Sequence, residues 1–474
     1  MREKQIRVVP SAWLEKEGRR LDCGPYLSGA IEAKVLLESL PVTKKPLKRV
    51  TKGYDGGIYN GPQFVRNYVD RPEHGVPFLT SSSMLLVDFT HTDLLRRQDA
   101  ASPRLAHLRL EVGMTLISCS GTIGRMTYSR PEMAGMWSSQ DVLKVVPDPD
   151  AVEPGFLFAF LSGRFGVPLI AGGTYGAIIP HLEPQHIAEI PVPLAPDRLQ
   201  KAAHQLVTEA AELRTKASAV LRGVIREIEE AAGLPVLDRH YDGGSPDISV
   251  VKAGALNGRM DGLFHSNYHR SVLDPLLKLP KSRRTTVDEL ATRVIEPARF
   301  KRIPVDDPQY GVPFFGTSAL MRADPEATYL ISKRTGGIDE LRVSETSLLI
   351  PRSGQLVGII GQAVLPYGDL LGGAVSEDAI RVSAPDSSTA GYLFACLSSE
   401  YGRRQLKARA FGSSIPHLDV RMIGGCTVPD LGEKLIAKLG ARAFTVASAR
   451  HEAVQKERQA RVLVESWIEK KGGA

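Results

Sequence analysis

Gly155-Phe156-Leu157-Phe158-Ala159-Phe160-Leu161-Ser162 returns 236 residues later as Gly391-Tyr392-Leu393-Phe394-Ala395-Cys396-Leu397-Ser398. The same offset joins Gly75-Val76-Pro77-Phe78 to Gly311-Val312-Pro313-Phe314, Pro180-His181-Leu182 to Pro416-His417-Leu418, and Val192-Pro193 to Val428-Pro429. Four blocks sharing one offset define an internal duplication, and so long a period describes two whole domains rather than a solenoid. Other matches drift by a few residues, as loop insertions make them do. Arg20-Leu21-Asp22 pairs with Arg259-Met260-Asp261 and Leu40-Pro41 with Leu279-Pro280 at 239. Ser120-Gly121 pairs with Ser353-Gly354 at 233, and Ser139 and Asp141 with Ser376 and Asp378 at 237.

Each half carries the same parts in the same order. A mixed α/β (α+β) domain comes first, over 1–194 and, with its connector, over 236–430. Short apolar runs bounded by Gly, Pro and Ser, such as Thr115–Ser118 and residues 347–350, read as strands. The repeated apolar stretch reads as one helix in each half. A long helix follows, over 195–235 and 431–474. In the first, from Asp197 to Ala232, Leu199, Leu206, Leu213 and Val220 form one column and Ala203, Ala210, Ala217 and Val224 a second. The columns of the second helix are Ile436, Ala443, Arg450, Glu457 and Val464 beside Leu439, Val446, Ala453, Ala460 and Trp467. Alternate spacings of four and three make a coiled-coil seam. Two such seams predict an antiparallel pair of helices, each about 54 Å long at about 1.5 Å per residue; packing of each helix on its own domain is the alternative.

The rest of the composition bounds the function. A chain of 474 residues with 43% hydrophobic and 24% charged residues is neither disordered nor collagen-like. No apolar run reaches the ~18 residues of a membrane span, and the start Met1-Arg2-Glu3-Lys4-Gln5 has no signal-peptide core, which predicts a cytoplasmic protein with no membrane partner. Cys23, Cys119, Cys396 and Cys426 are too scattered for a zinc knuckle or redox pair and read as buried thiols. The net charge of +7 argues only weakly for nucleic acid, with the largest excess in 431–474, where nine basic residues face five acidic ones.

The order of parts resembles the specificity (S) subunit of Type I restriction-modification systems. Leu116-Ile117-Ser118-Cys119-Ser120-Gly121-Thr122-Ile123-Gly124-Arg125 is similar to that family's strand followed by Ser-Gly-Thr-Ile-Gly. Residues 176–182 with 187–193, and 415–418 with 427–429, are similar to the end of a recognition domain leading into its helix. The second half departs from the pattern, with Gln355-Leu356-Val357-Gly358 in place of Thr-Ile-Gly, and a sister defence system using the same subunit type stays open. The resemblance implies two tandem pseudo-symmetric target-recognition domains that read a bipartite site in double-stranded DNA. It implies two adenine methyltransferase subunits docked on the paired helices, often joined by a translocating nuclease. S-adenosylmethionine would sit on the methyltransferases, and this chain would hold no cofactor or metal and perform no chemistry. An assembly scaffold without base readout is the alternative.

The residues agree with the absence of chemistry. There is no Asn-Pro-Pro-Tyr-like methyltransferase motif, and Gly121-Thr122-Ile123-Gly124 lacks the Lys of a phosphate loop. Glu32-Ala33-Lys34 has no acidic strand to complete a nuclease centre. His181 and His417 read as structural histidines, with no Ser, Cys or acid placed by the sequence to form a triad. Candidate phosphate contacts are Lys44, Lys45, Lys48, Arg49 and Lys52, with Arg283 and Arg284 aligned to Lys44-Lys45, and Ser120 and Ser353. Candidate base readers are Tyr54, Tyr59, Asn60, Gln63, Arg66 and Asn67 in the first half. In the second half they are Arg299, Lys301, Arg302, Lys333 and Arg334. If the halves read different bases, shared residues hold the fold or grip phosphate, and differing residues read.

Overall fold

The computed structural model describes residues 8–16, 24–172, 181–238, 241, 246–256 and 259–473. Arg20, Leu21, Asp22, Cys23 and residues 176–180 lie outside the described residues. The chain divides into two compact units, one of residues 1–215 with 453–474 and the other of 216–452, so the division falls inside the long helices rather than at their starts.

In the first unit an antiparallel sheet runs Ile58–Tyr59, Val142–Val145, Thr115–Ser118, Met126–Tyr128. A second sheet runs Tyr68–Val69, Leu94–Arg96, Gly75–Leu79, Trp137–Ser138, its last pair parallel. A ribbon joins Lys44–Pro46 to Pro191–Pro193. The second unit has Arg293–Ile295, Ala379–Ser383, Ser347–Pro351 in one sheet. Its second sheet runs Pro304–Val305, Tyr329–Ser332, Gly311–Phe315, Ala374–Val375, again with a parallel last pair. Arg284–Thr286 pairs with Thr427–Pro429.

The repeated Gly-Val-Pro-Phe block explains itself in this topology. A proline has no N–H for a ladder and is ordinarily kept out of central strands. Pro77 stands at a change of partner: Gly75, Val76 and Pro77 lie opposite Arg96, Leu95 and Leu94, whereas Phe78 and Leu79 lie opposite Trp137 and Ser138. Pro313 stands just before the corresponding parallel pairing, which begins at Phe314 opposite Ala374 while Phe314 also remains opposite Tyr329. The glycines are steric. A Cβ on Gly75 would come within 2.7 Å of Leu94 Cβ, and one on Gly311 within 2.7 Å of Leu330 Cβ.

The apolar repeat forms the helices Pro154–Leu161 and Ser387–Ser398, both buried all round. Helices of this kind belong in a core, and Pro154 suits a first turn whose N–H groups have no helical partner. Gly155 lies against the first long helix, where a Cβ would be 2.7 Å from His204 Cα; its N–H donates to His204 Nδ1 at 3.0 Å. The same crossing in the second unit is between two glycines. A Cβ on Gly391 would be 2.0 Å from Gly440 O, and one on Gly440 1.9 Å from Ser388 O.

The long helices run Asp197–Ala232 and Glu433–Gly472. Gly233 ends the first in a left-handed conformation (φ 71°), with Leu234 N–H returning to Glu229 O at 2.9 Å, a Schellman closure. The buried residues of this helix include Ala203, Val207, Ala210, Arg214, Ala217, Leu221, Val224 and Ile228. The expected column of Ala203, Ala210, Ala217 and Val224 is buried, whereas that of Leu199, Leu206, Leu213 and Val220 is only half-buried, its place taken by the residues one further on. In the second helix every residue of both expected columns except Ile436 is buried, Arg450 and Glu457 included.

Candidate nucleic-acid interface

The two units share a small construction on their second sheets. In the first, Phe64 meets Phe78 edge to face at 6.1 Å, and the Arg66 guanidinium lies 5.8 Å from the centre of the same ring. In the second, Phe300 meets Phe314 at 6.1 Å, and Arg302 lies 5.1 Å from that ring. Arg66 Nη2 donates to Gln140 Oε1 at 3.0 Å and to Asp141 Oδ2 at 2.9 Å. Arg302 Nη2 donates to both oxygens of Glu377 at 3.1 Å. The backbone registers agree as well: Arg96 N–H donates to Asn67 O and Ser332 N–H to Ile303 O, each at 2.9 Å. Phe64 and Phe300, Arg66 and Arg302, and Phe78 and Phe314 are therefore the same positions at the 236 offset.

Much of the basic run in the first unit is engaged locally. Lys44 donates to the carbonyls of Glu38 at 2.7 Å and Leu40 at 2.8 Å, closing the C-terminus of the helix Ala30–Ser39. A cation there satisfies orphan carbonyls and opposes the negative end of the helix. Arg284 does the same for the helix Asn267–Lys278 through Leu277 O, and Arg283 donates to Ala231 O at 2.7 Å at the end of the first long helix. The strand registers place Lys44 opposite Pro193 and Arg284 opposite Pro429. Lys44 thus corresponds to Arg284, one residue away from the alignment the sequence suggests. Lys48 pairs with Glu189, and Lys52 with Asp148 at 2.7 Å. Lys45 and Arg49 are exposed and form no ion pair among the described residues.

Among the other expected readers, Tyr59 is a correction. It is 5% exposed, burial pushes its hydroxyl up to about 12, and its ring faces the Lys144 ammonium at 5.8 Å. Position 59 falls on a strand opposite Lys144, so the side chain enters the core. Tyr54 stays exposed, stacked on His107 at 4.1 Å. Asn60 donates to Glu183 Oε2 at 3.2 Å and Asn67 to Asp99 Oδ2 at 2.9 Å, while Gln63 accepts from Arg104 through its carbonyl at 2.7 Å. Arg299 and Lys301 are exposed. Lys333 holds Gln309 O at 2.8 Å, and its counterpart Arg97 holds Gly75 O at 2.9 Å, so both tie the turn that leads into the Gly-Val-Pro-Phe strand. Arg334 is exposed beside it, and Ser120 is half-buried on its turn.

Ser353 revises the expectation about His417. Its hydroxyl donates to Asp378 Oδ1 at 2.6 Å and meets His417 Nδ1 at 2.8 Å, so a serine and an acid do stand beside the histidine. The order is acid, serine, histidine. A triad needs the acid on the far side of the histidine and the imidazole free to take the serine proton. Here the serine proton goes to Asp378, and His417 donates to the serine oxygen. His417 also pairs through its backbone with Phe411 in both directions, at 2.7 and 2.9 Å. The first unit lacks the cluster: Asp141 holds Arg66, and His181 Nε2 lies 3.2 Å from Glu183.

One shared feature is invisible to a search for exposed charge. Lys144 and Arg381 occupy equivalent strand positions, opposite Leu116 and Leu349, and both are buried. Lys144 donates to Val142 O at 2.9 Å and Ser139 O at 3.4 Å; Arg381 donates to Val375 O at 2.6 Å and Ser376 O at 2.9 Å. Burial pulls the Lys144 ammonium down to about 7 and the Arg381 guanidinium to about 10. These buried cations brace the turn that precedes each strand, the turn carrying Gln140-Asp141 or Glu377-Asp378. Cys119, Cys396 and Cys426 are buried and unbridged. Among the described residues no single helix is long and apolar enough to cross a membrane.

No family model matches the chain, and no curated protein matches it by sequence. Among solved structures, it is similar to a Type-I restriction-modification system S subunit from M. genitalium, with 14% identity over 91% of this chain and 96% of that one and a TM-score of 0.35. It is similar to the HsdS subunit from Thermoanaerobacter tengcongensis, with 13% identity over 90% and 96% and a TM-score of 0.26. A third similar chain belongs to a structure of complex assembly and conformational transition of the type I R-M system, with 12% identity over 92% and 98% and a TM-score of 0.25.

Proposed function

We propose that the chain is the DNA-reading subunit of a multisubunit methylation or restriction-modification complex and is not an enzyme by itself. The observation that carries this reading is one sheet built twice, with the same strand order and the same Phe–Arg–acid construction, and with different polar side chains around it. A single binding surface needs one copy. Two copies that keep their frame and vary their exposed residues suit a target in two unlike halves, each read by one target-recognition domain in double-stranded DNA. Lys45, Arg49, Arg299, Lys301 and Arg334 are exposed cations available for phosphate or base edges.

The long helices serve as the second working part. Lys456–Glu209 and the buried Arg214–Glu457 contact join them in the first unit, and Arg442–Glu227 joins them in the second. The pairings support an antiparallel coiled coil, whose outer faces would dock two adenine methyltransferase subunits carrying S-adenosylmethionine, with translocase–nuclease subunits joining in the restricting form. Selection of bound fragments from a random DNA pool by the chain with its methyltransferase tests the reading. A split motif with a fixed unread gap is expected. Salt-sensitive binding without any motif would overturn it in favour of an assembly scaffold.

A further inference from the structure

The shared Phe–Arg construction has a second side. Phe64 and Arg66 both touch Phe78, and Phe300 and Arg302 both touch Phe314. In a chain running straight into a strand, residues two apart share a side and the residues between them face away. The residues between are Gln63, Val65 and Asn67 in the first unit and Arg299, Lys301 and Ile303 in the second. All six are exposed, Val65 at 78% and Ile303 at 45%. The backbone bonds at Asn67 O and Ile303 O hold the two segments in one register, so the triplets correspond residue for residue.

The inward side of this segment is thus the same in both units, and the outward side differs at every position. Gln, Val and Asn stand where Arg, Lys and Ile stand in the other copy. Apolar side chains as exposed as Val65 and Ile303 gain nothing from water and suit contact with a thymine methyl, while Gln and Asn suit adenine edges and Arg and Lys suit guanine. We infer that Gln63, Val65 and Asn67 on one unit, and Arg299, Lys301 and Ile303 on the other, are specificity-determining residues, mounted on a shared Phe-x-Arg frame that does not discriminate. Arg66 and Arg302 thereby become positioning residues. Their Nη2 groups are held by Gln140 and Asp141 or by Glu377, and the turns that carry those acceptors are braced by Lys144 and Arg381.

This inference rests on the DNA-reading function proposed above, and the experiment separates the two. The triple variant Gln63→Arg, Val65→Lys, Asn67→Ile and the single variant Arg66→Lys are each produced in the full chain with its methyltransferase, and bound sites are selected from random DNA. The triple variant is expected to change bases in one half-site toward those of the other half-site, leaving the other half-site and the gap as in the wild type. Arg66→Lys is expected to weaken binding several-fold at every site while the motif stays the same. A triple variant that binds DNA with the wild-type motif overturns the inference, as does an Arg66→Lys variant whose motif changes. A triple variant that no longer binds is resolved by the three single variants, which must alter one half-site or the inference falls. A wild-type chain that selects no motif overturns the proposed function itself, before any variant is compared.

Discussion

The Arg214 guanidinium donates to the Glu457 carboxylate with only 4% and 9% of the two side chains exposed. The attraction of Arg214 holds the Glu457 carboxyl below its ordinary range although burial works the other way. Such a pair gains little net stability, since two charges leave water to make it, but breaking it leaves one charge buried alone. Glu457→Ala is expected to cost about 3–5 kcal/mol. The double replacement Arg214→Met with Glu457→Leu is expected to be near neutral or stabilising. Urea unfolding of both variants checks this, and a cheap single replacement would show that water reaches the pair.

The crossing of Gly391 and Gly440 leaves no room for a methyl group on either side. Gly440→Ala is expected to destabilise the second unit by about 1–3 kcal/mol or more, because backbone must move rather than a side chain turn. Gly233→Ala, at a left-handed helix end with open space around it, is expected to cost about 1 kcal/mol through its φ alone. Thermal melts of the two variants should rank in that order.

Lys144 has a folded pKa near 7 against an ordinary value of 10.5, lowered by burial. Below pH 7 both folded and unfolded chains carry the proton, and the folded chain bears the full cost of a buried charge. Between about pH 7 and pH 10.5 the unfolded chain binds more protons, so this residue makes stability rise with pH by about 1.4 kcal/mol per unit. Lys144→Met is expected to remove that slope and to stabilise most at low pH. Parallel unfolding titrations at pH 6, 8 and 9.5 read the difference, and equal slopes in the two proteins would count against it.

On the proposed function, a heptad inserted into each long helix, after Thr215 and after Glu452, adds about 10 Å of helix without turning its buried face. The unread gap is expected to grow by about three base pairs at ~3.4 Å each, with both half-sites unchanged. Sequencing of selected sites checks this, and an unchanged gap would remove the helices from the role of spacer.

Much of the fold was legible because duplication writes each element twice. Thr115–Ser118 and the first long helix stand where apolar runs and flanking Pro and Gly put them. Of the two columns expected in that helix the alanine column is buried, while the leucine column stands one residue short of the buried one, because the latter contains Arg214 and an apolar pattern steps around a charge onto the nearest leucines. The Phe-x-Arg repeat was hidden for another reason. Two identities separated by a variable residue are too short to stand out, and only the folded packing brings both onto one ring. Lys44, Arg283 and Arg284 read as phosphate contacts, yet helix ends nearby supply carbonyls that claim them. Tyr59 read as an aromatic in a glycine-rich loop, and its pairing with Val142–Val145 turns it inward.

The two helix crossings differ in what fills them. Where Gly155 rests on His204, main chain meets main chain and the imidazole also enters the joint, accepting the Gly155 N–H. Where Gly391 rests on Gly440 main chain touches main chain, and nothing in the joint can turn. The helix Ser387–Ser398 is in turn fastened to the strand Thr427–Pro429 through the hydrogen bond of Tyr392 to Pro429 O, at 2.9 Å. A load placed on the second long helix therefore passes directly into the main chain of Ser387–Ser398 and, through Tyr392, into the ribbon that begins and ends this recognition domain.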